Sequence, residues 1–244
     1  MSDVLVRNEG EVTIISINRP GKLNALSNGV AHGLEAAFKE FDESDQKVAI
    51  LAGEGKSFTA GADINDFPEF WRCVPTVGIT TQKPVIAAVQ GWCVGGGVVM
   101  AAMADLCVCA ENTTFWYPEG KLGVSGGMIC TLAARMPHKA AMEIMYLARK
   151  INARRAYEMG LVNEVVPDGE QLNAALKMAN ELVALAPLVL RGIKRIVNDQ
   201  ILTKGPSETA AILTRDMQAM NNSVDFKEGK QAFAEKRQPK FVGR

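Results

Sequence analysis

An α/β core with a helical C-terminal extension is the fold class predicted by three features of the 244-residue chain. Strand-like and helix-like segments alternate through the first two thirds, and helix-like segments alone fill the last third. In addition, three loops that follow strand-like segments are loaded with glycine and alanine. The 27 Lys and Arg balance the 27 Asp and Glu, a composition that excludes an acidic tail, a basic nucleic-acid binder and a disordered segment. The N-terminal MSDVLVRNEGEV has no charged-then-apolar leader pattern. The longest strongly apolar stretch, residues 94–103, is glycine-rich and too short for a bilayer. The sequence therefore predicts a cytoplasmic protein with neither a nucleic-acid nor a membrane partner.

VLVRNEGEVTIISINRP alternates around an EGE turn and predicts a hairpin whose second strand ends before Pro20. In SNGVAHGLEAAFKEFDES the apolar residues Val30, Leu34, Ala37, Phe38 and Phe41 recur at helical spacing, with Ser27 or Asn28 as the cap. KVAILAGEG predicts a buried strand, KPVIAAVQG a second, GGGVVMAAMAD a helix and LCVCAEN a third strand. HKAAMEIMYLARK and ARRAYEMG predict helices, and LVNEVVP a strand closed by Pro167. Four helices follow, of which two open at Pro187 and Pro206, the first-turn position that proline favours.

The cysteines are Cys73, Cys93, Cys107, Cys109 and Cys130, an odd number without a secretory signal, so reduced thiols are expected. Strand alternation puts Cys107 and Cys109 on one face, where they read as core residues; no histidine is near in sequence to complete a metal site. Cys93 and Cys130 flank glycine-rich loops, and packing is the expected role for both, with nucleophilic chemistry as the alternative.

The loops SFTAGADIND, QGWCVGGGVV and FWYPEGKLGVSGG match no nucleotide fingerprint, since neither G-x-G-x-x-G spacing nor a Walker lysine is present. A helix that begins at Gly95–Gly97 would project free N–H groups and the positive end of its dipole into the cleared space. Two such donors aimed at one carbonyl oxygen stabilise an enolate, and each is worth roughly 3 kcal/mol of transition-state energy. Close packing of helix on strand is the alternative use of the same glycines.

Five blocks together carry a resemblance: INRPGKLNAL (17–26), GEGKSFTAGADI (53–64), KPVIAAVQGWCVGGG (83–97), FWYPEGKLGV (115–124) and ARRAYEMGLVNEVVP (153–167). In order and spacing the chain resembles the enoyl-CoA hydratase/isomerase, or crotonase, superfamily. The resemblance implies a spiral of β-β-α units in two roughly perpendicular sheets over residues 1–186. It also implies a helical region, 187–244, that joins subunits into trimers or dimers of trimers. The implied substrate is an acyl-CoA thioester, with no separate cofactor or metal because coenzyme A arrives as part of the substrate. The amides of Ala62 and Gly96 would form the oxyanion hole. Ala60, Ala62 and Ile64, with Lys22, Leu23 and Ala25, would lie along the adenine, and Lys236 would reach the CoA phosphates of a neighbouring subunit. Phe67, Trp71, Trp92, Val99, Met100, Trp116 and Tyr117 are candidates to line the acyl pocket.

Family hydratases use two glutamates, one shortly after the glycines and one in F-x-x-P-E. Here the second is Glu119, while the first position is Val99, which moves no proton. LGVSGGM also lacks a proline and about two residues of the family pattern, and the stretch between Ile64 and Lys83 is short. Taken alone, Glu119 would read as a solvated loop acid or a cap; within the motif it is the catalytic acid/base. The expected reaction is double-bond isomerisation of an enoyl-CoA by a single-glutamate shuttle. The alternatives are hydration or dehydration of a specialised enoyl-CoA with Glu119 as sole acid/base, and a non-catalytic acyl-CoA-binding member. Asp63 and Asp66 are expected to satisfy their own loop backbone.

Overall fold

The computed structural model describes residues 2–124 and 126–244; Ser125, in the loop where shortening is expected, lies outside the described residues. The predicted hairpin is formed by β1 (Val4–Glu9) and β2 (Val12–Ile17), which turn at Gly10 with φ +59°. α1 (Asn28–Glu43) starts at Ser27, whose hydroxyl accepts from the Val30 N–H. It buries the five residues picked out by their spacing, together with Ala31.

Next come β3 (Val48–Gly53), β4 (Val85–Val89), β5 (Trp92–Val94) and α2 (Gly96–Met103). The following turn of the spiral contains β6 (Leu106–Ala110), β7 (Thr114–Trp116), α3 (Glu119–Leu122), α4 (Leu132–Arg135) and α5 (His138–Leu147). β8 (Lys150–Asn152), α6 (Ala153–Glu158) and β9 (Glu164–Val166) complete the core strands. α7 (Gln171–Val183), α8 (Pro187–Ile196), α9 (Pro206–Asn221) and α10 (Val224–Glu235) close the chain, with Pro187 and Pro206 in first turns as predicted.

The strands form two sheets, one of six in the order β1-β2-β3-β4-β6-β9 and one of three in the order β5-β7-β8. Each middle turn of the spiral contributes one strand to each sheet and then a helix, the predicted β-β-α unit. β5, β7 and β8 were not foreseen as separate strands, because three residues are too few to display alternation.

Alternate residues of the large sheet face two cores. Ala49, Leu51, Ala87, Val89, Cys107 and Cys109 point into the spiral with α1 and α2. Val48, Ile50, Ile86, Ala88 and Val108 point toward α7, whose Ala175 and Ala179 are buried on that face. Burial of both faces is why these strands read as continuous apolar runs.

Beyond α7 the helices bury little. α8 has no buried residue, and is held to the core by Lys194, whose ammonium reaches Asp105 at 2.7 Å and the Lys83 carbonyl at 2.8 Å. The helix does not run on regularly as the sequence suggested but ends in a π-helical turn, Val197–Ile201. No single described helix is long and apolar enough to cross a membrane.

Candidate active site

Two strand-like loops meet where β5 runs into α2. Residue 59 bridges Cys93, and Leu26 bridges Ala62. In the second bridge Leu26 N–H donates to Gly61 C=O, and Asp63 N–H donates to Leu26 C=O. Alternation turns the Ala62 N–H to the opposite side, where it has no backbone acceptor among the described residues. Gly61 takes φ +93°, and a methyl added there would stand 3.3 Å from Val94 C=O.

Gly95 is the pivot. Its backbone (φ +56°, ψ −116°) is a conformation reserved for glycine, and its N–H donates to Trp116 C=O at 2.9 Å. Gly96 follows as the first residue of α2, so its N–H is one of the free donors of a helix start. A methyl added to Gly95 would stand 2.9 Å from Glu119 Oε1 and 4.0 Å from Gly61 Cα. The glycine pair thus brings both candidate oxyanion donors and the candidate acid to one place.

Glu119 opens α3 behind Pro118 and is half-buried. Its Oε2 is buried without a hydrogen-bond partner among the described residues. Burial pushes its pKa up to about 7, partly opposed by a hydrogen bond from its own N–H. Tyr117, two residues earlier, is buried. Val99 faces the core at 2 % exposure and Met100 at 0 %, so this part of α2 packs as apolar core.

The neighbouring acids are committed elsewhere. Asp63 accepts from Asn65 N–H and from Arg19, with Lys22 3.6 Å away, and these partners hold its carboxyl below the usual range. Asp66 accepts from Asn28, and Glu69 accepts from Gln218 and Arg72.

Of the candidate nucleotide-side residues, Leu23 has φ +49° and accepts from Ala60 N–H at 2.9 Å, which joins the loop after the RP motif to the AGAD loop. Buried Asn24 locks the junction: it donates to Glu54 and Ser57 carbonyls and accepts from Arg19 N–H. Ala25 C=O accepts from Arg19, and Lys22 and Ile64 are exposed along the same edge, Ile64 at 88 %. Lys236 is the exposed C-cap of α10, with φ +52°.

The aromatic candidates divide. Trp92 and Trp116, with ring centroids 6.4 Å apart, lie on the face of the small sheet opposite Cys93 and Phe115. Lys150 covers both rings, and the Trp116 indole donates to Ala148 C=O. Trp71 lies beneath the Arg72 guanidinium, and Phe67 is 70 % exposed. The ring that does touch the glycines is Phe70, which the sequence did not single out; no local pattern distinguishes it from its aromatic neighbours.

The thiols are accounted for by packing in four cases. Cys73, Cys93, Cys107 and Cys109 are buried, and burial raises every one of their pKa values, Cys73 and Cys109 to about 12. Cys130 departs from expectation: it is exposed, because the turn Met128–Thr131 buries its neighbours Ile129 and Thr131 instead.

Comparison with known proteins places the chain in a family. The family model described as Enoyl-CoA hydratase/isomerase matches residues 7–244. The chain is similar to carnitinyl-CoA dehydratase of Salmonella enteritidis, 35% identical over 258 residues that cover 98% of each. Those 258 aligned positions exceed the 244 residues available here, so the chain lacks at least 14 residues present in that relative. The crystal structure of enoyl-CoA hydratase from Mycobacterium tuberculosis matches with TM-score 0.78 and 34% identity over 100% of both chains. That of carnitinyl-CoA hydratase from Mycobacterium avium matches with TM-score 0.76 and 32% identity, again over 100% of both.

Proposed function

Because the chain belongs to the enoyl-CoA hydratase/isomerase family, we propose that it shifts the double bond of an enoyl-CoA thioester by a proton shuttle on Glu119. The thioester oxygen accepts from the amides of Ala62 and Gly96, which makes the C2 proton of a 3-enoyl-CoA acidic enough to move. The Glu119 carboxylate takes that proton, the electron pair spreads into a dienolate whose charge rests on the thioester oxygen, and Glu119 returns the proton at C4. The double bond is then conjugated with the thioester, no water is consumed, and the carboxylate is regenerated.

The observation that carries this reading is the solitary state of Glu119: a half-buried carboxyl with a pKa raised to about 7, facing an α2 whose Val99 is buried. A pKa near neutrality suits a group that must both accept and give back a proton. The edge formed by Lys22, Leu23, Ala25, Ala60 and Ile64 would take the adenine. The exposed apolar faces of α8 to α10, with Leu188 at 80 % and Phe233 at 88 % exposure, support assembly into a trimer or a dimer of trimers. In such an assembly Lys236 would reach a neighbour's CoA phosphates.

A second reading, hydration or dehydration with Glu119 as sole acid/base, is favoured by the relatives named as carnitinyl-CoA dehydratase and hydratase. Incubation with a 3-enoyl-CoA and, separately, a 2-enoyl-CoA separates the two. Gain of the conjugated thioester absorbance at constant mass supports isomerisation, and loss of it with a mass gain of one water supports hydration. Binding without either change marks a non-catalytic member.

A further inference from the structure

Between Ile64 and Lys83 stands a residue that the proposed reaction does not use. Phe70 opens the 3-10 turn Phe70–Cys73, and its ring lies on Gly96: a methyl added there would stand within 3.0 Å of three ring carbons. Gly96 is the residue whose N–H would hold the thioester oxygen, and the adjacent Gly95 abuts Glu119. On the reading of Gly96 as a thioester donor, the ring stands beside the position of the thioester carbonyl.

The ring is also held. Arg72, two residues on, pairs with Glu35 of α1 and with Glu69 at 2.8 Å, and donates to Gln218 of α9 at 2.5 Å. Behind the turn, Gly78 packs so closely that an added methyl would stand within 2.6 Å of backbone atoms of Trp71 and Arg72. Arg215 of α9 donates to Val77 C=O at 2.6 Å. α1 and α9 thus fix the turn from two sides, and a side chain packed into a fixed frame resists displacement.

We propose that Phe70 is a specificity-determining residue that restricts the acyl group to short chains of the butyryl class. A longer chain must either expel the pinned ring or leave its methylenes in water, and forfeits their burial. The inference rests on the reading of Ala62 and Gly96 as the thioester site.

Saturated acyl-CoA esters test it without turnover, whichever reaction is catalysed. Isothermal titration calorimetry compares butyryl-CoA with octanoyl-CoA on the wild type and on Phe70→Ala and Phe70→Leu, each checked for native circular dichroism. The wild type is expected to favour butyryl-CoA at least tenfold. Phe70→Ala is expected to shift the ratio of octanoyl-CoA to butyryl-CoA affinity at least tenfold toward octanoyl-CoA, and Phe70→Leu to lie between. Equal wild-type affinities, or a ratio unchanged in the folded variants, overturn the proposal; if Phe70→Ala does not fold, Phe70→Leu decides. Absence of binding to either ester in the wild type overturns the thioester-site reading itself, and this inference with it.

Discussion

Glu119 and Gly95 share one side-chain position: Glu119 Oε1 stands 2.9 Å from where a Gly95 Cβ would be. A carboxylate is thereby held against the β5–α2 junction, beside the first free amide of α2, while Asp63, Asp66 and Glu69 are engaged by other partners. From that relationship the following outcomes are expected.

Replacement of Glu119 by Gln keeps the shape and removes the base. Turnover of the active enoyl-CoA should fall by about 10²–10⁴-fold, the usual worth of a positioned acid/base. Affinity for a saturated acyl-CoA should stay within about threefold, because the Ala62 and Gly96 donors are untouched. Steady-state kinetics with calorimetry on the same preparations checks both; a variant with most of the wild-type rate would remove Glu119 from the mechanism.

The pH dependence of kcat/KM should follow the ionisation of Glu119 in the free enzyme. The reactive form is the carboxylate, and burial raises its pKa to about 7. The rate constant should therefore climb tenfold per pH unit below that value and level off above it. A profile already flat from pH 5 upward would mean that the carboxyl is not desolvated as described.

Stability should carry the same signature with the opposite sense. The folded pKa of about 7 lies above the ordinary 4.5, so the folded chain keeps a proton that the unfolded chain has already released. Stability from this group is complete below pH 4.5 and is lost as pH rises through 7. Glu119→Gln, which cannot ionise, should melt higher than the wild type at pH 8, and the difference should shrink at pH 5. Thermal scans at the two pH values decide it.

Gly95→Ala should damage both fold and activity. The methyl meets the Glu119 carboxylate, and the backbone at φ +56°, ψ −116° costs an alanine roughly 1–3 kcal/mol. A lower melting temperature together with a kcat reduced at least tenfold is the expected pair. A variant of native stability and full rate would show that the acid does not depend on this contact.

Part of the candidate site was legible in sequence, where a backbone device leaves a local signature. Three glycines before an apolar helix announce a cleared helix start, whereas Glu119 reads by itself as a solvated loop acid or a cap and gains its catalytic reading only from the family resemblance. The two-sided burial of β3, β4 and β6 was likewise written in their unbroken apolar runs. The short strands β5, β7 and β8 were not legible, since their existence depends on pairing partners distant in the chain. The exposure of Cys130 was not legible for a related reason: which residue of a turn is buried depends on what packs over it.

Residue type and spacing alone carried the alternation of strands and helices and a glycine-cleared helix start at Gly95–Gly97; the family resemblance added the spiral, the candidate amides of Ala62 and Gly96 and the candidate acid Glu119. The alternation and the cleared helix start are local properties, which act through backbone geometry within a few residues. Packing supplied the rest: Glu119 is desolvated, Asp63, Asp66 and Glu69 are engaged elsewhere, and Phe70 rather than Phe67 lies on Gly96. Desolvation and contact are properties of what surrounds a side chain, and those surroundings are assembled from α1, α2, α3 and α9, segments that only folding brings together.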